Sequence, residues 1–291
     1  METDKSITTA RMTAELRRDL SPIYGDGEAR AMIRLIFHSL KGWSQTDMVI
    51  NADTQLSDYI IDKINDIKSR LLKNEPIQYI LGEAYFYGMN LMVTPDTLIP
   101  RPETEQLVDM IVKENDESDL RILDIGTGSG AIAIALSRNL RFAKVSAIDI
   151  SEGALKVAEE NATHLHADIS FINCDVFEYS PKPDSFDIIV SNPPYIDDSE
   201  KKSMESNVLD YEPHSALFVP DNNPLIFYSK IAELGYKSLS NGGKLYFEIN
   251  PRHAEELRQL LLDDGYEDVE IISDIYGKQR FIKCLRSDNK N

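Results

Sequence analysis

Along the N-terminal part of the chain, apolar residues recur at helical spacing. In "GEARAMIRLIFHSL", Ile33, Ile36, Phe37 and Leu40 fall on one face, and in "TQLSDYIIDKINDIKSRLL" the same holds for Leu56, Ile60, Ile64, Ile67 and Leu71. Both stripes predict helices whose apolar faces close a small bundle over residues 1–75. From Pro76 to Pro100 the texture changes to "PIQYILGEAYFYGMNLMVTPDTLIP". Aromatic and β-branched residues broken by Gly82, Gly88 and Pro95 predict a short hairpin linking two domains, residues 76–100.

Residues 101–291 alternate short apolar runs with helical segments: "LRILDIG", "SGAIAIALSRN", "AKVSAIDI", "EGALKVAEENA", "DISFINCD", then "FDIIVSNPP". That rhythm predicts a parallel sheet covered on both faces, a doubly wound α/β domain. After a helix at "PLIFYSKIAELGYKSL" come the strand "GGKLYFEI", a helix at "RHAEELRQLLLDDG" and two strand-like runs, "VEIIS" and "RFIKCLR". The turn "DIYGKQ" joins the last two so closely that they must be antiparallel. A mostly parallel sheet with a C-terminal antiparallel hairpin resembles the class I methyltransferase fold.

Composition narrows this picture. The 291 residues, 42% hydrophobic and 27% charged, suit a folded globular protein with room for one large and one small domain. A net charge of -18 opposes a sequence-independent grip on nucleic acid, which needs Lys and Arg to displace counterions, so no stable nucleic-acid binding is expected. The two cysteines, Cys174 and Cys284, stand far apart with no metal-ligand spacing, which suggests neither a disulfide framework nor a zinc site. The opening "METDKSITTARMTAEL" has no apolar stretch like that of a signal peptide, and no later run reaches the length of a membrane span. A cytoplasmic protein without a membrane partner is expected.

Two segments carry candidate chemistry. In "LRILDIGTGSGAIAIAL", Asp124 ends a strand, and Gly126, Thr127, Gly128, Ser129 and Gly130 form the turn into a helix. Glycines there let backbone approach a ligand, and the helix start offers free N–H groups. Asp149, some twenty residues on, suits ribose hydroxyls. Two cofactors fit the loop, since Gly126, Gly128 and Ala131 also satisfy dinucleotide-binding spacing. A tight strand-to-helix crossing with Asp149 as a helix cap is the plain structural alternative. Asp175, after the next strand, sits where an adenine-contacting carboxylate would lie in such a domain, with Val176 and Phe177 flanking the base; a turn residue is the alternative.

The second segment is Asn192-Pro193-Pro194-Tyr195, directly after "FDIIV" and Ser191. As a turn it is stiff, because each proline fixes φ and removes a donor. At the carboxyl end of a parallel strand it would also face the ligand crevice. An attacking amide or amino-purine nitrogen needs two hydrogen-bond acceptors to aim it; the side-chain oxygen of Asn192 and the carbonyl of Pro193 supply them. Pro194 holds the turn rigid and Tyr195 offers an aromatic wall. Orientation of this kind supplies effective molarities of about 10⁵ M or more, the main resource for displacement on a preactivated methyl donor. None of the five histidines, His38, His164, His166, His214 and His253, forms a recognisable acid–base set, which favours methyl over hydride transfer.

These motifs together resemble the release-factor glutamine methyltransferase family. The similarity runs through "EPIQYILG", "LIPRPETE", "DIGTGSG", "SNPPYI", "EPHSALF" and "DIYGKQRFI". It implies that Gly126 to Gly130, Asp149, Asp175, Val176 and Asn192 bind S-adenosyl-L-methionine. It implies that Asn192 to Tyr195 hold the glutamine of the Gly-Gly-Gln loop of peptide chain release factors, with Arg101 and Glu103 of "RPETE" bracing the site. The helical domain would read the rest of the release factor. Glutamine methylation of a ribosomal protein and adenine methylation of nucleic acid stand as alternatives. Two departures mark this chain: Val176 where the family often has an aromatic residue, and "VPDNNPLIFY" where many relatives have an Asp-Gly-Leu run.

Overall fold

A computed structural model describes residues 7–287. The first six residues of the opening segment read above for a leader lie outside the described residues. The described residues form two compact units, residues 7–82 with 206–211, and residues 83–205 with 212–287.

The first unit is helical. Helix α1 (Thr9–Lys41) begins on Thr8, whose side chain accepts from Arg11 N, and bends at Gly25, where φ is 78°. Helix α2 (Gln45–Ile50) starts in a capping box of Ser44 and Asp47, and α3 (Asp58–Leu71) starts on Ser57. Helix α4 (Ile77–Leu81) runs from Pro76 to Gly82, which closes it in the left-handed conformation at φ 77°. Residues 77–81 are therefore helical where the hairpin reading had them extended. Pro76 starts a turn without losing a needed donor and Gly82 stops it, and periodicity over five residues is too short to reveal this. The predicted stripes meet: Ile33, Ile36 and Phe37 pack with Ile60, Ile64, Ile67 and Leu71 in one core.

The second unit opens with the antiparallel strands β1 (Glu83–Phe86) and β2 (Met89–Met92). It continues through α5 (Pro102–Glu114), β3 (Arg121–Ile125), α6 (Ala131–Asn139), β4 (Lys144–Asp149), α7 (Glu152–His164), β5 (Ile169–Asn173) and β6 (Phe186–Ser191). A short strand β7 (Ile196–Asp197) follows, then α8 (Ser206–Tyr211), which belongs to the helical unit, and β8 (Phe218–Val219), the partner of β7. Helix α9 (Ile226–Ser238), β9 (Leu239–Glu248), α10 (Ala254–Asp263), β10 (Tyr266–Ser273) and β11 (Gln279–Arg286) complete it.

Seven strands form the main sheet in the order β10-β11-β9-β6-β3-β4-β5. The pairs from β9 to β5 are parallel, and β11 runs antiparallel to both β9 and β10. This is the doubly wound plan with a C-terminal antiparallel hairpin that the alternating pattern predicts. β3 starts near the middle; the chain winds outward to β5, then crosses back to β6 on the other side of β3. One sheet face packs Leu123, Ile189, Leu245 and Phe247 with α9 and α10. The other packs Ile122, Ile188, Val190 and Tyr246 with α5, α6 and the β1–β2 strands through Phe86, Met89 and Leu91.

Close packing is visible at Gly235 in α9, where an added Cβ would fall 2.7 Å from the hydroxyl of Tyr266, itself donating to Ala232 O at 2.8 Å. Gly235→Ala gains helix propensity of about 1 kcal/mol, but displacing a buried phenol costs about 2 kcal/mol. The expected net loss is on the order of 1 kcal/mol, read as a fall in Tm of about 2–4 °C by calorimetry; an unchanged or higher Tm would show that the ring gives way freely.

Candidate active site

The register of β3 with β6 places Ile125 opposite Ser191, whose hydroxyl donates to the Ile125 carbonyl at 2.7 Å. The glycine loop and the Asn192 tetrapeptide therefore leave the sheet side by side. Strands β4 and β5 deliver Asp149 and Asp175 to the same edge. These strand ends enclose a cavity of about 290 Å³. It lies where the strand order reverses, the place at which open α/β sheets bind ligands.

Gly126, Gly128, Asp149, Asp175, Val176, Asn192, Pro193 and Pro194 all line this cavity; Thr127, Ser129, Gly130 and Tyr195 are not among its lining residues. The loop explains the split. Gly126 N and Thr127 N donate to Ile148 O at 2.9 and 3.1 Å, and the Thr127 hydroxyl turns inward to Asp124 Oδ2 at 2.7 Å. Asn161 Nδ2 holds the Ser129 carbonyl at 2.9 Å. At Gly128, φ is 55° and no atom lies within 4 Å of where a Cβ would stand, so open space borders its backbone. At Gly130 a Cβ would come within 3.0 Å of Ile134 Cδ1 and 3.2 Å of Ala158 Cβ, so this glycine serves helix packing.

Asp149 accepts from Gly128 N and Ser151 N, both at 2.9 Å. Burial pushes its carboxyl pKa up, and those N–H groups oppose the shift. Asp175 makes the turn that the plain reading expects, its Oδ1 accepting from Phe177 N at 2.9 Å, and it faces the cavity as well. Val176, 9% exposed, belongs to the core, whereas Phe177 is 42% exposed and its ring tilts against Phe227 at 5.6 Å between centroids. Both rings line the cavity, so aromatic surface beside Asp175 comes from Phe177 and from Phe227 of α9. Phe227 has no local signal in the sequence; only the crossing of α9 over the sheet brings it in.

Tyr195 points behind the cavity. Its hydroxyl donates to Glu248 Oε1 at 3.1 Å, its backbone N–H to Leu217 O at 3.2 Å, and its carbonyl accepts from Asn250 Nδ2 at 3.0 Å. Burial pushes its hydroxyl pKa far up, with the negative charge of Glu248 adding to the shift. Glu248 also accepts from Thr104 Oγ1 at 2.6 Å, and Asn192 Nδ2 lies 3.4 Å from the same Thr104 oxygen. In "RPETE" it is thus Thr104 that meets the tetrapeptide. Arg101 instead pairs with Glu212 at 2.6 Å, and Glu212 also receives Ile99 N at 3.2 Å, tying "LIPRP" to "EPHSALF". Glu103, in the first turn of α5, acts on Glu248 through its charge. Sequence reading passed over Thr104 and Glu248 because their partners lie 88 and 144 residues from Thr104 along the chain.

A family model described as "Methyltransferase domain" matches residues 116–259, and one described as "PrmC N-terminal domain" matches residues 13–82. A release factor glutamine methyltransferase of Bacteroides thetaiotaomicron is 50% identical over 277 residues, 95% of this chain and 99% of its own length. The chain belongs to the release factor glutamine methyltransferase family. A second such protein, from Flavobacterium psychrophilum, is 44% identical over 91% of this chain and 94% of its own. A crystal structure of a methyltransferase from Pyrococcus furiosus superposes with a TM-score of 0.52 at 19% identity, covering 77% of this chain and 99% of that one, and it shares the class I fold.

Asp124 yields a pH prediction. The side chain is fully buried, Oδ2 accepts from Thr127 Oγ1 and Ala133 N, and Oδ1 has no partner among the described residues. Burial pushes its pKa up from 3.8 to about 7. The folded state then holds a proton over a window in which the unfolded chain has lost it, so this group's contribution to stability falls as pH rises from about 4 to about 7. Urea titrations should show wild type losing stability relative to Asp124→Asn by on the order of 1 kcal/mol for each pH unit in that window. Parallel curves would mean that Asp124 is ionised throughout.

Proposed function

We propose that this protein transfers a methyl group from S-adenosyl-L-methionine to the side-chain amide nitrogen of the glutamine in the Gly-Gly-Gln motif of peptide chain release factors. The observation that carries this reading is that Asn192, Pro193 and Pro194 line the same cavity as Gly126, Gly128 and Asp149. The name of the relatives, release factor glutamine methyltransferase, favours this substrate over a ribosomal protein or nucleic acid. Family membership also favours a methyl donor over a dinucleotide for the glycine loop.

The residues fit that donor. Open space borders Gly126 and Gly128 where side chains would otherwise stand. The Asp149 carboxylate suits ribose hydroxyls, and the Phe177–Phe227 pair with Val176 and Ile150 offers apolar surface for a purine beside Asp175. When bound, S-adenosyl-L-methionine supplies a methyl group already activated on a sulfonium centre.

The chain's own task is orientation. Two acceptors, the side-chain oxygen of Asn192 and the carbonyl of Pro193, take the two N–H bonds of the substrate amide and aim its nitrogen. Pro193 is buried, and the hydrogen bonds of Tyr195 to Leu217, Glu248 and Asn250 keep the turn rigid. No strong base is needed, because the amide nitrogen loses its proton as it becomes bonded to carbon. The helical unit reads the rest of the release factor in this proposal, and Arg101 with Glu212 braces the approach. A cytoplasmic setting is part of this proposal; among the described residues no helix is long and apolar enough to cross a membrane.

Incubation of the purified chain with the donor and a folded release factor, followed by mass spectrometry of the Gly-Gly-Gln peptide, should show one added methyl on the glutamine. An unmodified peptide with donor binding intact would rule this substrate out. Asn192→Ala should cut kcat by about 10²-fold or more while leaving donor affinity near wild type. In contrast, Asp149→Ala should weaken donor binding by about ten- to a hundred-fold in equilibrium dialysis. A reversal of these two effects would exchange the roles given to the two residues.

A further inference from the structure

Glu248 ends β9 with 1% of its surface exposed, and two hydroxyls feed its carboxylate: Thr104 Oγ1 at 2.6 Å and Tyr195 Oη at 3.1 Å. A threonine hydroxyl owns one proton. The short bond to Glu248 commits it, so the Thr104 oxygen has only acceptor capacity left. Asn192 stands against that oxygen at 3.4 Å and also lines the cavity. Of the two ends of its amide, only the NH2 can satisfy an acceptor. The side-chain oxygen is then left for whatever the cavity holds.

We propose that Glu248 and Thr104 are positioning residues that set the orientation of the Asn192 amide, presenting an acceptor to the substrate and so selecting a primary carboxamide over a carboxylate. The inference rests on the methyl-transfer reading of the site and adds what fixes its selectivity. A flipped Asn192 would aim N–H at the N–H of a glutamine, donor against donor, and would welcome the oxygens of a glutamate instead. With the relay intact, a glutamate side chain meets two acceptors and leaves its own oxygens unpaired. Burial pushes the Glu248 pKa up, while both hydroxyl donors and the positive charge of Arg280 favour the ionised form that accepts from both.

The orienting element is also tied into the fold from three directions. Thr104 sits in the first turn of α5, Glu248 at the end of β9 beside β6, and Asn192 directly after β6. Tyr228 adds a further tie by donating to the Glu248 backbone carbonyl at 3.0 Å. A relay made of one proton per hydroxyl has no slack, so removing one donor or one acceptor changes which end of the amide faces the cavity.

The test compares full-length wild type with Thr104→Val, which keeps shape and deletes the hydroxyl, Thr104→Ser, which restores it, and Glu248→Met, which deletes both acceptors. Steady-state kcat and KM with a release factor and S-adenosylmethionine are measured alongside donor affinity. Thr104→Val should lose kcat by on the order of 10- to 100-fold with donor affinity within about two-fold of wild type, and Thr104→Ser should recover most of the loss. General structural damage would instead weaken donor binding as well. A Thr104→Val protein as fast as wild type overturns the inference while leaving the functional reading intact; a wild type that binds donor but methylates nothing overturns both. Should Thr104→Val fail to fold, Glu248→Met carries the test. It leaves the Thr104 hydroxyl without its acceptor and free to donate to the Asn192 side-chain oxygen, so kcat should fall with donor affinity kept, and an unchanged kcat overturns the inference.

Discussion

Parallel pairing of β3 with β6 is the constraint on which the site depends. Because side chains alternate along a strand, a slip of one residue in that register would turn Ser191 away from Ile125 and move Asn192 off the wall it shares with Gly126. Ile122, Leu123, Ile188 and Ile189, all nearly or fully buried, hold the register through packing on both sheet faces. The crossover that brings the chain back from β5 to β6 opens the crevice between strand ends. The fold thus creates the cavity before any functional side chain is specified.

Around that cavity the protein buries several carboxyl groups wholly or in part. Asp124 and Asp149 lie on either side of the glycine loop, and burial raises the pKa of both. Backbone N–H groups offset part of the cost, from Ala133 for Asp124 and from Gly128 and Ser151 for Asp149. The loop conformation and the placement of its acids are therefore one arrangement. Moving Gly128 would strip Asp149 of a donor, and moving Asp149 would release the loop.

Glu248 plays a comparable part on the other side. A carboxylate without water must be given hydrogen bonds, and Thr104 and Tyr195 give them from segments that are remote in sequence. The demand for satisfaction joins the start of α5, the tetrapeptide after β6 and the end of β9. It also explains why Tyr195, a residue that reads as a ligand wall, turns its hydroxyl inward. A buried acceptor offers the phenol more than the cavity does, since the ring packs on the core at the same time.

By itself the sequence determined the elements and their order, because hydrophobic period and turn residues act locally. The apolar stripes of α1 and α3, the alternation of strand and helix from β3 onward and the closing antiparallel pair were all legible. So were Gly126, Asp149 and Asn192, since each sits at a strand end whose place in a doubly wound sheet follows from strand order. The tertiary structure alone decided which residues of each motif face the cavity: Gly128 but not Thr127, Phe177 more than Val176, Pro194 but not Tyr195. It alone brought Phe227, Thr104 and Glu248 to the site, and turned Arg101 to Glu212. The physical reason is that satisfying a buried polar group depends on whichever partner packing delivers, at any separation along the chain, and no local period records that choice.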